Sequence, residues 1–346
     1  MEPLRQSESH PIEHPTQVAA ARRAVHRLGE RLGFDEETVA RAEIVVAELA
    51  NNILQHATHG QILLSASPSR DGARSDAIQI VAIDKGPGIA SIERAQLDGY
   101  STGSTPGLGL GASQRQAQSF GIFSELGKGV VAAASVSPAA SLSRGDDTVV
   151  LCTALLGESV NGDSWATRTV SGRDLYLLVD GLGHGILANE ASSLATQLFL
   201  QGLETRPGIG LAELLQQMHG PMHATRGAAI AIVAVDRATR VATCCGIGNI
   251  SCVLVALDNT TRSMVSHNGT LGHQMRRLQE FQYPFDPGTL LIMHSDGLST
   301  HWKMSQYPRL VHGAPATIAG VLYRDAIRGR DDATILVSRL TGVAHG

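Results

Sequence analysis

The chain has 346 residues, of which 43% are hydrophobic and 17% charged, a composition that excludes a disordered protein and allows two domains with a core each. Its 28 basic and 32 acidic residues give a net charge of −4, and only 4% of the residues are aromatic, so no nucleic-acid surface is expected. No apolar run approaches the roughly 18 residues of a membrane span, which predicts a cytoplasmic protein that does not act on a membrane.

Two helices are predicted near the N-terminus. The first begins at a Thr16 N-cap and continues to about Arg31, and the second follows an Asp35 N-cap. Glu48 and Asn52 are four residues apart on the second helix, so their side chains lie on one face. Taken alone, the pair is more typical of a polar helix surface than of a site. A carboxylate and a carboxamide so placed could also share a metal-bound ligand.

A strand and a glycine-rich loop follow these helices. The segment Ile78–Ile83 alternates as a strand does and runs into Asp84, after which Gly86 and Gly88 mark a turn. The loop at 101–111 (STGSTPGLGLG) leads into another helix. Backbone amides of such a loop could cradle phosphates, although flexible surface loops share its composition.

The order of these features, a helix with ExxxN, a strand ending in DxGPG, a glycine-rich loop and a helix, resembles the GHKL (Bergerat-fold) ATPases. Within that family, ELANNI at 48–53 and GYST at 99–102 are most similar to the RsbT-like switch kinases of bacterial stress signalling. The resemblance covers about residues 12–137 and implies that ATP and Mg²⁺ bind to this part of the chain.

The resemblance also implies roles for particular residues. Asn52 would hold the Mg²⁺ that bridges the ATP phosphates, and Glu48 would be the base that polarises a Ser or Thr hydroxyl. Asp84 would accept a hydrogen bond from the adenine amino group. The implied site is completed by glycines, Gly86 and Gly88 beside the base and Gly107, Gly109 and Gly111 around the phosphates. In one departure, GKGV at 127–130 lacks the hydroxyl of the Gly-Thr that the family usually has there.

A small, polar, proline-containing segment, SVSPAASLSRGDD at 135–147, separates two apolar strands. It predicts a linker at 138–147 between an ATP-binding domain of residues 1–137 and a second domain of residues 148–346. A loop inside one domain is the alternative.

Acidic turns recur through the second half. A buried strand ends at Asp180, and Gly181, Gly183 and Gly185 then let the backbone approach whatever that carboxylate holds. Three further acidic turns lie beside other predicted strands. Asp296 follows one strand, Asp331 precedes the last strand, and Asp163 lies in a turn between two strands. Oxygen ligands without a Cys/His set suit Mg²⁺ or Mn²⁺ and predict a metal site in an α+β sandwich. One Asp alone would instead favour a single structural Ca²⁺ site or an ordinary polar turn.

The combination of GDS at 162–164, DGLGHG at 180–185, SDGL at 295–298 and RDDAT at 330–334 resembles the PPM-type, SpoIIE-like protein phosphatases. RsbX-like enzymes are the most similar members. The resemblance spans about residues 148–340 and implies an αββα sandwich that holds two Mn²⁺ or Mg²⁺ ions. These ions would activate water for in-line attack on a phosphoryl group.

Ligand roles follow from this resemblance, residue by residue. Asp180 would bridge the two metals, with help from the backbone carbonyl of Gly181. Asp296 and Asp331 would complete one metal site, and Asp163 would reach the other, partly through water.

Two of the implied assignments stay open. Asp331 stands three residues before Thr334, where the family's ligand stands, and Asp332 is the fallback. His184 could be the general acid for the leaving hydroxyl, or a plain turn residue.

These resemblances imply a two-domain α+β chain that carries both arms of a partner-switching module. The N-terminal domain would phosphorylate a Ser or Thr of a STAS-domain protein of the RsbS/RsbR type, and the C-terminal domain would remove that phosphate. A regulator of a sigma factor or a second-messenger enzyme could lie downstream. The alternative is a phosphatase whose ATP-binding domain only holds ATP and sequesters a partner, as an anti-sigma factor does.

Overall fold

The structure, a computed structural model, describes residues 5–57, 59–68, 75–92, 109–138 and 147–342. The chain divides into two compact units. The first contains the described residues up to Val149 except Pro68, together with 313–324. The second contains Pro68, 150–312 and 325–342. Both units combine helices with sheets, which confirms the predicted α+β class. Among the described residues, none of the helices has the length and apolar character that crossing a bilayer requires.

Two long helices form one layer of the first unit. α1 spans Pro15–Leu32 and α2 spans Glu36–His56. Asp35 caps α2 as predicted, because its Oδ1 accepts the Thr38 N–H at 2.7 Å. Thr16 does not cap α1, since that helix begins one residue earlier, at a proline whose missing N–H costs nothing in a first turn.

An antiparallel sheet of five strands, in the order β1-β2-β3-β5-β4, forms the second layer. Its strands are β1 (Glu8–Pro11), β2 (Gly60–Ala66), β3 (Ile78–Asp84), β4 (Ser119–Glu125) and β5 (Gly129–Val136). Aliphatic side chains from both helices pack on one face of this sheet, where Val46, Leu49, Ile80 and Ala132 belong to one buried core. β3 is the strand predicted after the two helices.

A short helix, α3 (Gly109–Gln116), precedes β4. It begins inside the segment that was predicted as a glycine-rich loop, so Gly109 and Gly111 belong to the first turn of a helix. Gly107 lies outside the described residues. The glycines thus contribute backbone N–H groups at a helix N-terminus, a place where phosphates bind in other proteins.

The second unit is a sandwich of two five-stranded sheets, ordered β13-β10-β9-β8-β7 and β12-β11-β14-β15-β6. The strands are β6 (Thr148–Thr153), β7 (Asp163–Val170), β8 (Arg173–Gly181), β9 (Ala228–Asp236), β10 (Val241–Ile247), β11 (Ser251–Val255), β12 (Thr261–Ser263), β13 (Phe281–Pro284), β14 (Leu290–His294) and β15 (Ala333–Arg339). Side chains of both sheets, such as Leu178 and Leu336, share the central core. Two helices, α4 (Ile186–Thr205) and α5 (Leu211–Met222), pack on the outer face of the first of these sheets.

A helix from the C-terminal part of the chain, α6 (Pro315–Ala326), completes the first unit. A Cβ at Gly320 would lie 2.7 Å from Val131 Cγ1 and 2.8 Å from Val81 Cγ1. These two valines alternate with residues that face α1 and α2, so α6 lies on the other face of the sheet. The predicted division placed this segment in the C-terminal domain, whereas it packs within the N-terminal unit. The limits at 137 and 148 stay predictions, because residues 139–146 lie outside the described part of the chain.

Candidate active sites

Two of the four predicted carboxylates meet on neighbouring strands of the second unit. Asp180 is the next-to-last residue of the apolar strand β8. The antiparallel register pairs it directly with Asp163, the first residue of β7. Asp163 is only 4% exposed, so its charge is largely removed from water. The strand pairing therefore brings together two acidic turns that are 17 residues apart in the sequence.

Ser295 connects this pair to the other sheet. Its hydroxyl donates to Asp163 Oδ2 at 2.7 Å and accepts the Thr334 N–H at 3.0 Å. Ser295 immediately precedes Asp296, and Asp331 lies shortly before Thr334. One hydroxyl thus holds the end of β14 and the start of β15 against Asp163, which brings the third and fourth acidic turns to the same edge.

Burial and mutual repulsion shape the electrostatics of this cluster. The pKa of Asp180 is raised to about 9, mainly by burial and secondly by the negative charges of Asp163, Asp296 and Asp331. Burial raises the pKa of Asp163 to about 7, although the hydrogen bond from Ser295 acts in the opposite direction. Burial and the Asp331 charge also raise the pKa of Asp296. Negative charge is in excess here, the condition that a bound divalent cation relieves.

The structure distinguishes Asp331 from Asp332. The Asp332 carboxylate accepts the Leu155 N–H at 2.7 Å through Oδ1 and the Gly162 N–H at 2.8 Å through Oδ2. Both of its oxygens therefore hold neighbouring loops. Asp331 Oδ1 accepts the Asp332 N–H at 2.9 Å, while its Oδ2 has no hydrogen-bond partner among the described residues. Of the two, Asp331 has a donor atom left for a cation.

The chemistry of the cluster fits a divalent cation, although its carboxylates do not point to one common position. Within the described part of the chain, no three Asp, Glu, His or Cys side chains are arranged so that they could hold a metal ion. Hydrogen bonds direct two of them elsewhere, since Asp163 contacts Ser295 and Asp296 Oδ2 accepts the Asn249 amide at 2.8 Å. The donors are all oxygens, as Mg²⁺ and Mn²⁺ prefer.

The turn after Asp180 requires glycine. A Cβ at Gly181 would lie 2.1 Å from the backbone oxygen of Ala188, so no side chain fits there. Gly183 and Gly185 have φ angles of 89° and 74°, which other residues rarely adopt. The backbone carbonyl of Gly181 therefore follows the Asp180 carboxylate without any side chain between them.

His184 lies in the same turn and contacts Glu158. The two are joined by a 2.7 Å contact between His184 Nδ1 and Glu158 Oε1. The contacts of Glu158, Ser295 and Asn249 with the site form between separate parts of the chain, so the sequence does not reveal them. Ser295 is the first residue of the SDGL motif, which was the one available signal.

In the first unit, α2 presents Glu48 and Asn52 on successive turns, and both side chains are half-buried. The Asn52 Nδ2 atom is buried and has no hydrogen-bond partner among the described residues. A buried polar atom without a partner costs free energy unless a ligand satisfies it. The pair therefore fits a position beside a Mg²⁺–nucleotide.

Asp84 occupies the end of β3, next to a close approach of backbone segments. Its Oδ1 accepts the Gly86 N–H at 2.7 Å and the Val130 N–H at 3.2 Å. Burial raises the pKa of this carboxyl, and both hydrogen bonds oppose that shift. At Gly88, where φ is 76°, a Cβ would lie 2.3 Å from the Glu125 backbone oxygen. The segment after Asp84 is thus shaped by glycines, as the predicted adenine site requires.

The segment that lacks the expected hydroxyl also contacts Asp84. Gly129 has a φ of 84°, and a Cβ there would lie 2.1 Å from the Asp84 backbone oxygen. A backbone N–H, that of Val130, approaches the Asp84 carboxylate. The nearby Ser124 hydroxyl accepts the Ile89 N–H at 2.7 Å and donates to the Gly129 oxygen at 3.1 Å. That hydroxyl therefore holds the backbone of the loop.

Comparisons with known proteins assign both halves to families. Residues 13–132 match the family described as histidine kinase-like ATPase domain, and residues 171–341 match stage II sporulation protein E (SpoIIE). The serine/threonine-protein kinase RsbT of Bacillus subtilis is 34% identical over 112 residues, which cover 32% of this chain and 82% of RsbT. The phosphoserine phosphatase RsbX of the same organism is 24% identical over 190 residues, which cover 54% of this chain and 90% of RsbX.

Solved structures agree with this assignment at the level of the fold. A crystal structure of RsbX in complex with magnesium has a TM-score of 0.50 and 23% identity, covering 56% of this chain and 94% of that one. A structure described as the bacterial stressosome, a modular system adapted to control secondary messenger signaling, also has a TM-score of 0.50, with 24% identity over 56% of this chain and 98% of that one.

The fold and the family matches together define a protein in which a histidine kinase-like ATPase domain precedes a SpoIIE domain with a PPM-type phosphatase fold. The chain is a fusion in which an N-terminal domain of the RsbT-like family precedes a domain that is similar to RsbX.

Proposed function

We propose that this chain is a bifunctional regulator of partner-switching stress signalling. Its N-terminal domain transfers phosphate from ATP to a Ser or Thr of a STAS-domain antagonist, and its C-terminal domain hydrolyses that phosphate with two Mn²⁺ or Mg²⁺ ions. Both activities belong to the cytoplasm, as the sequence predicts. The observation that carries the proposal is the pairing of Asp163 with Asp180, to which Ser295 holds the turns of Asp296 and Asp331.

The C-terminal roles follow from the atoms that each residue has available. Asp180 would hold the two cations with help from the Gly181 carbonyl, Asp296 and Asp331 would complete one of the sites, and Asp163 would reach the other, partly through water. Bound divalent cations supply charge that attracts the phosphoryl oxygens and lowers the pKa of water at neutral pH. Water attacks phosphorus, the bond from phosphorus to the Ser or Thr oxygen breaks, and that oxygen leaves with a proton.

His184 supplies that proton. Its Nδ1 is engaged with Glu158, so Nε2 is the nitrogen available to the leaving oxygen. The contact with the Glu158 carboxylate fixes the orientation of the ring, so that Nε2 is held in one position. Both side chains are exposed enough to meet a protein substrate, with 57% of His184 and 31% of Glu158 accessible.

In the N-terminal domain, Asn52 would hold the Mg²⁺ of the nucleotide and Asp84 would accept a hydrogen bond from the adenine amino group. Gly86 and Gly88 would admit the base, while Gly109 and Gly111 at the start of α3 would lie beside the phosphates. Glu48 accepts the proton of the substrate hydroxyl, whose oxygen attacks the γ-phosphorus as ADP leaves. The orphaned Asn52 amide and the 34% identity to RsbT support this assignment.

A STAS-domain protein of the RsbS/RsbR type is the proposed partner of both domains. Similarity to a kinase and to a phosphatase from the same organism supports a shared substrate. A sigma factor regulator or a second-messenger enzyme is the proposed output. The latter is supported by the stressosome structure, whose description mentions control of secondary messenger signaling.

A second candidate function is a phosphatase whose ATPase domain binds ATP and sequesters a partner without transferring phosphate. The observation that favours it is Val130, which places a backbone N–H where the family usually has a hydroxyl near Asp84. Nucleotide binding alone is compatible with both candidates, so phosphate transfer decides between them.

The test uses Asp180→Asn protein, in which the phosphatase domain cannot remove the product. It is mixed with ATP, Mg²⁺ and a STAS-domain protein encoded near this gene, and phosphate incorporation is followed by intact mass. We expect one added phosphate, which the double variant with Glu48→Ala does not produce. Wild-type protein with Mn²⁺ should then remove it.

An absence of phosphate incorporation, with ATP still bound, would favour the sequestering function. Failure of wild-type protein to remove phosphate from a chemically phosphorylated substrate would contradict the phosphatase assignment. An Asp286→Asn variant, altered at an exposed turn of the second unit, serves as the matched control for loss of a carboxylate.

A further inference from the structure

An arginine, Arg226, stands beside the turn that follows Asp180. It precedes Gly227 and β9, whose first residue pairs in register with Gly181. The Leu182 N–H donates to the Gly227 carbonyl at 3.0 Å, which extends this pairing by one residue. A Cβ at Gly183 would lie 3.0 Å from Arg226 Nη1. The guanidinium group therefore lies directly against the glycine turn of the acidic cluster.

The backbone around Arg226 is held by hydrogen bonds on its other side. The Thr225 hydroxyl donates to the Met222 oxygen at 2.8 Å and accepts the Gly227 N–H at 3.0 Å. His273 Nε2 lies 3.1 Å from the Thr225 oxygen. Gly227 has a φ of 79°, and a Cβ there would lie 2.6 Å from a neighbouring backbone oxygen. The turn is thus fixed, and it holds the start of the arginine side chain beside the site.

Arg226 has no charged partner within the part of the chain that the structure describes. Other arginines of the same unit form ion pairs, such as Arg237 with Asp174 at 2.5 Å and Arg168 with Glu204 at 3.5 Å. Arg226 is exposed and makes no hydrogen bond or ion pair there, although an acidic cluster lies next to its turn. Its charge is therefore not used to hold the fold together.

A free guanidinium group at the edge of a carboxylate cluster suits an anion that binds to that cluster through cations. Guanidinium groups bind phosphate oxygens through two parallel N–H donors, with more directional specificity than an ammonium group. The absence of a side chain at Gly183 leaves space for the guanidinium beside the turn. A residue with a side chain there would displace Arg226 or strain the backbone.

We infer that Arg226 binds the phosphoryl group of the substrate, a phosphoserine or phosphothreonine dianion, beside the metal centre. This inference rests on the proposed phosphatase function. The arginine donates to phosphoryl oxygens that the cations do not neutralise, and thereby adds affinity and orientation for the phosphomonoester. Removal of Arg226 should weaken binding of any phosphomonoester and of inorganic phosphate, the product, because both share these oxygens.

The experiment compares full-length wild-type protein with Arg226→Ala, Arg226→Lys and the control Arg262→Ala. Arg262 is an exposed arginine on the edge strand β12. Binding of inorganic phosphate in the presence of Mg²⁺ is measured by calorimetry, and hydrolysis of p-nitrophenyl phosphate gives kcat and KM. We expect Arg226→Ala to weaken phosphate binding and raise KM by roughly 10- to 100-fold, since charge-assisted hydrogen bonds are lost. Arg226→Lys should lie between the two, and Arg262→Ala should match wild type.

Mg²⁺ affinity and the thermal unfolding of Arg226→Ala should match wild type, because the arginine holds neither the metal nor the fold. Phosphate affinity and KM that are unchanged in Arg226→Ala would overturn the inference while leaving an active phosphatase. Wild-type protein that does not hydrolyse phosphomonoesters would instead overturn the proposed function. Phosphate binding would still test Arg226 in that case, because it needs no turnover.

Discussion

Asp163 and Asp180 face each other across neighbouring strands, and Asp163 is also held by the Ser295 hydroxyl at 2.7 Å. The strand register fixes the spacing of the two backbones, so the carboxylates cannot move far apart without breaking β7 from β8. Their repulsion is therefore built into the sheet. A cation between them converts this repulsion into attraction, which gives metal binding a direct effect on the stability of the second unit.

We predict that the metal-free second unit loses stability as pH rises. Folding raises the pKa of Asp163 to about 7 and that of Asp180 to about 9, so the folded state keeps protons that the unfolded state has lost. The contribution of these two protons to the free energy of unfolding is fully present below about pH 4. It is lost as pH rises through the two folded-state pKa values, by at most about 1.4 kcal/mol per pH unit for each proton. Urea unfolding in EDTA, followed by fluorescence of Trp165 and Trp302, measures it.

Two comparisons test this pH dependence. Saturating Mn²⁺ should flatten the slope, and Asp180→Asn should remove part of it in EDTA. Both tryptophans of the chain lie in the second unit, so fluorescence reports on that unit. A metal-free stability that rises between pH 5 and pH 8 would contradict the prediction.

Asp331→Asn and Asp332→Asn should have opposite consequences. The first removes a ligand, so Mn²⁺ affinity measured by calorimetry should fall while urea unfolding without metal changes little. The second weakens the contacts with the Leu155 and Gly162 N–H groups, so the metal-free protein should lose about 1–3 kcal/mol of unfolding free energy. Loss of metal affinity in Asp332→Asn alone, with normal stability, would reverse the assignment.

Val130→Thr should strengthen ATP binding. The substitution keeps nearly the same shape and adds a hydroxyl next to the backbone N–H that already contacts Asp84. One further hydrogen bond to the nucleotide or to its adenine contacts corresponds to roughly a 2- to 10-fold gain in affinity. Calorimetry with ATP and Mg²⁺ measures it, and Val130→Ala is the control for loss of the original side chain. An affinity equal to wild type would place this side chain outside the nucleotide site.

Gly320→Val should destabilise the first unit. Its Cβ would lie within 2.8 Å of methyl groups on Val81 and Val131, so α6 must move away from the sheet. Overpacking of this kind costs about 1–3 kcal/mol. Amide hydrogen exchange of β3 and β5 peptides measures the loss. Gly220→Val is a matched control, because Gly220 also lies in a helix and a Cβ there meets nothing within 4 Å.

The sequence was sufficient for the features that depend on local patterns. The apolar strand into Asp180 and the capped helix with Glu48 and Asn52 have the predicted form. Both depend on residues close together in the chain. The α+β class follows from the same local patterns of strands and helices.

Long-range contacts could not be predicted in the same way. Ser295 and Glu158 acquire their roles from partners 132 and 26 residues away, which no local pattern encodes. The choice between Asp331 and Asp332 depends on which carboxylate turns toward backbone N–H groups. The place of α6 depends on which sheet accepts its glycine face, which chain order alone does not encode.

The membership of α6 in the first unit has a consequence for any attempt to divide the protein. A single cut at 138–147 leaves the N-terminal fragment without residues 313–324, and so without the helix whose Gly320 approaches Val81 and Val131. The C-terminal fragment keeps this helix, whose Ile318 and Leu322 are fully buried in the intact chain. A single cut in the linker therefore does not separate the two compact units, because the first of them includes a helix from beyond that cut.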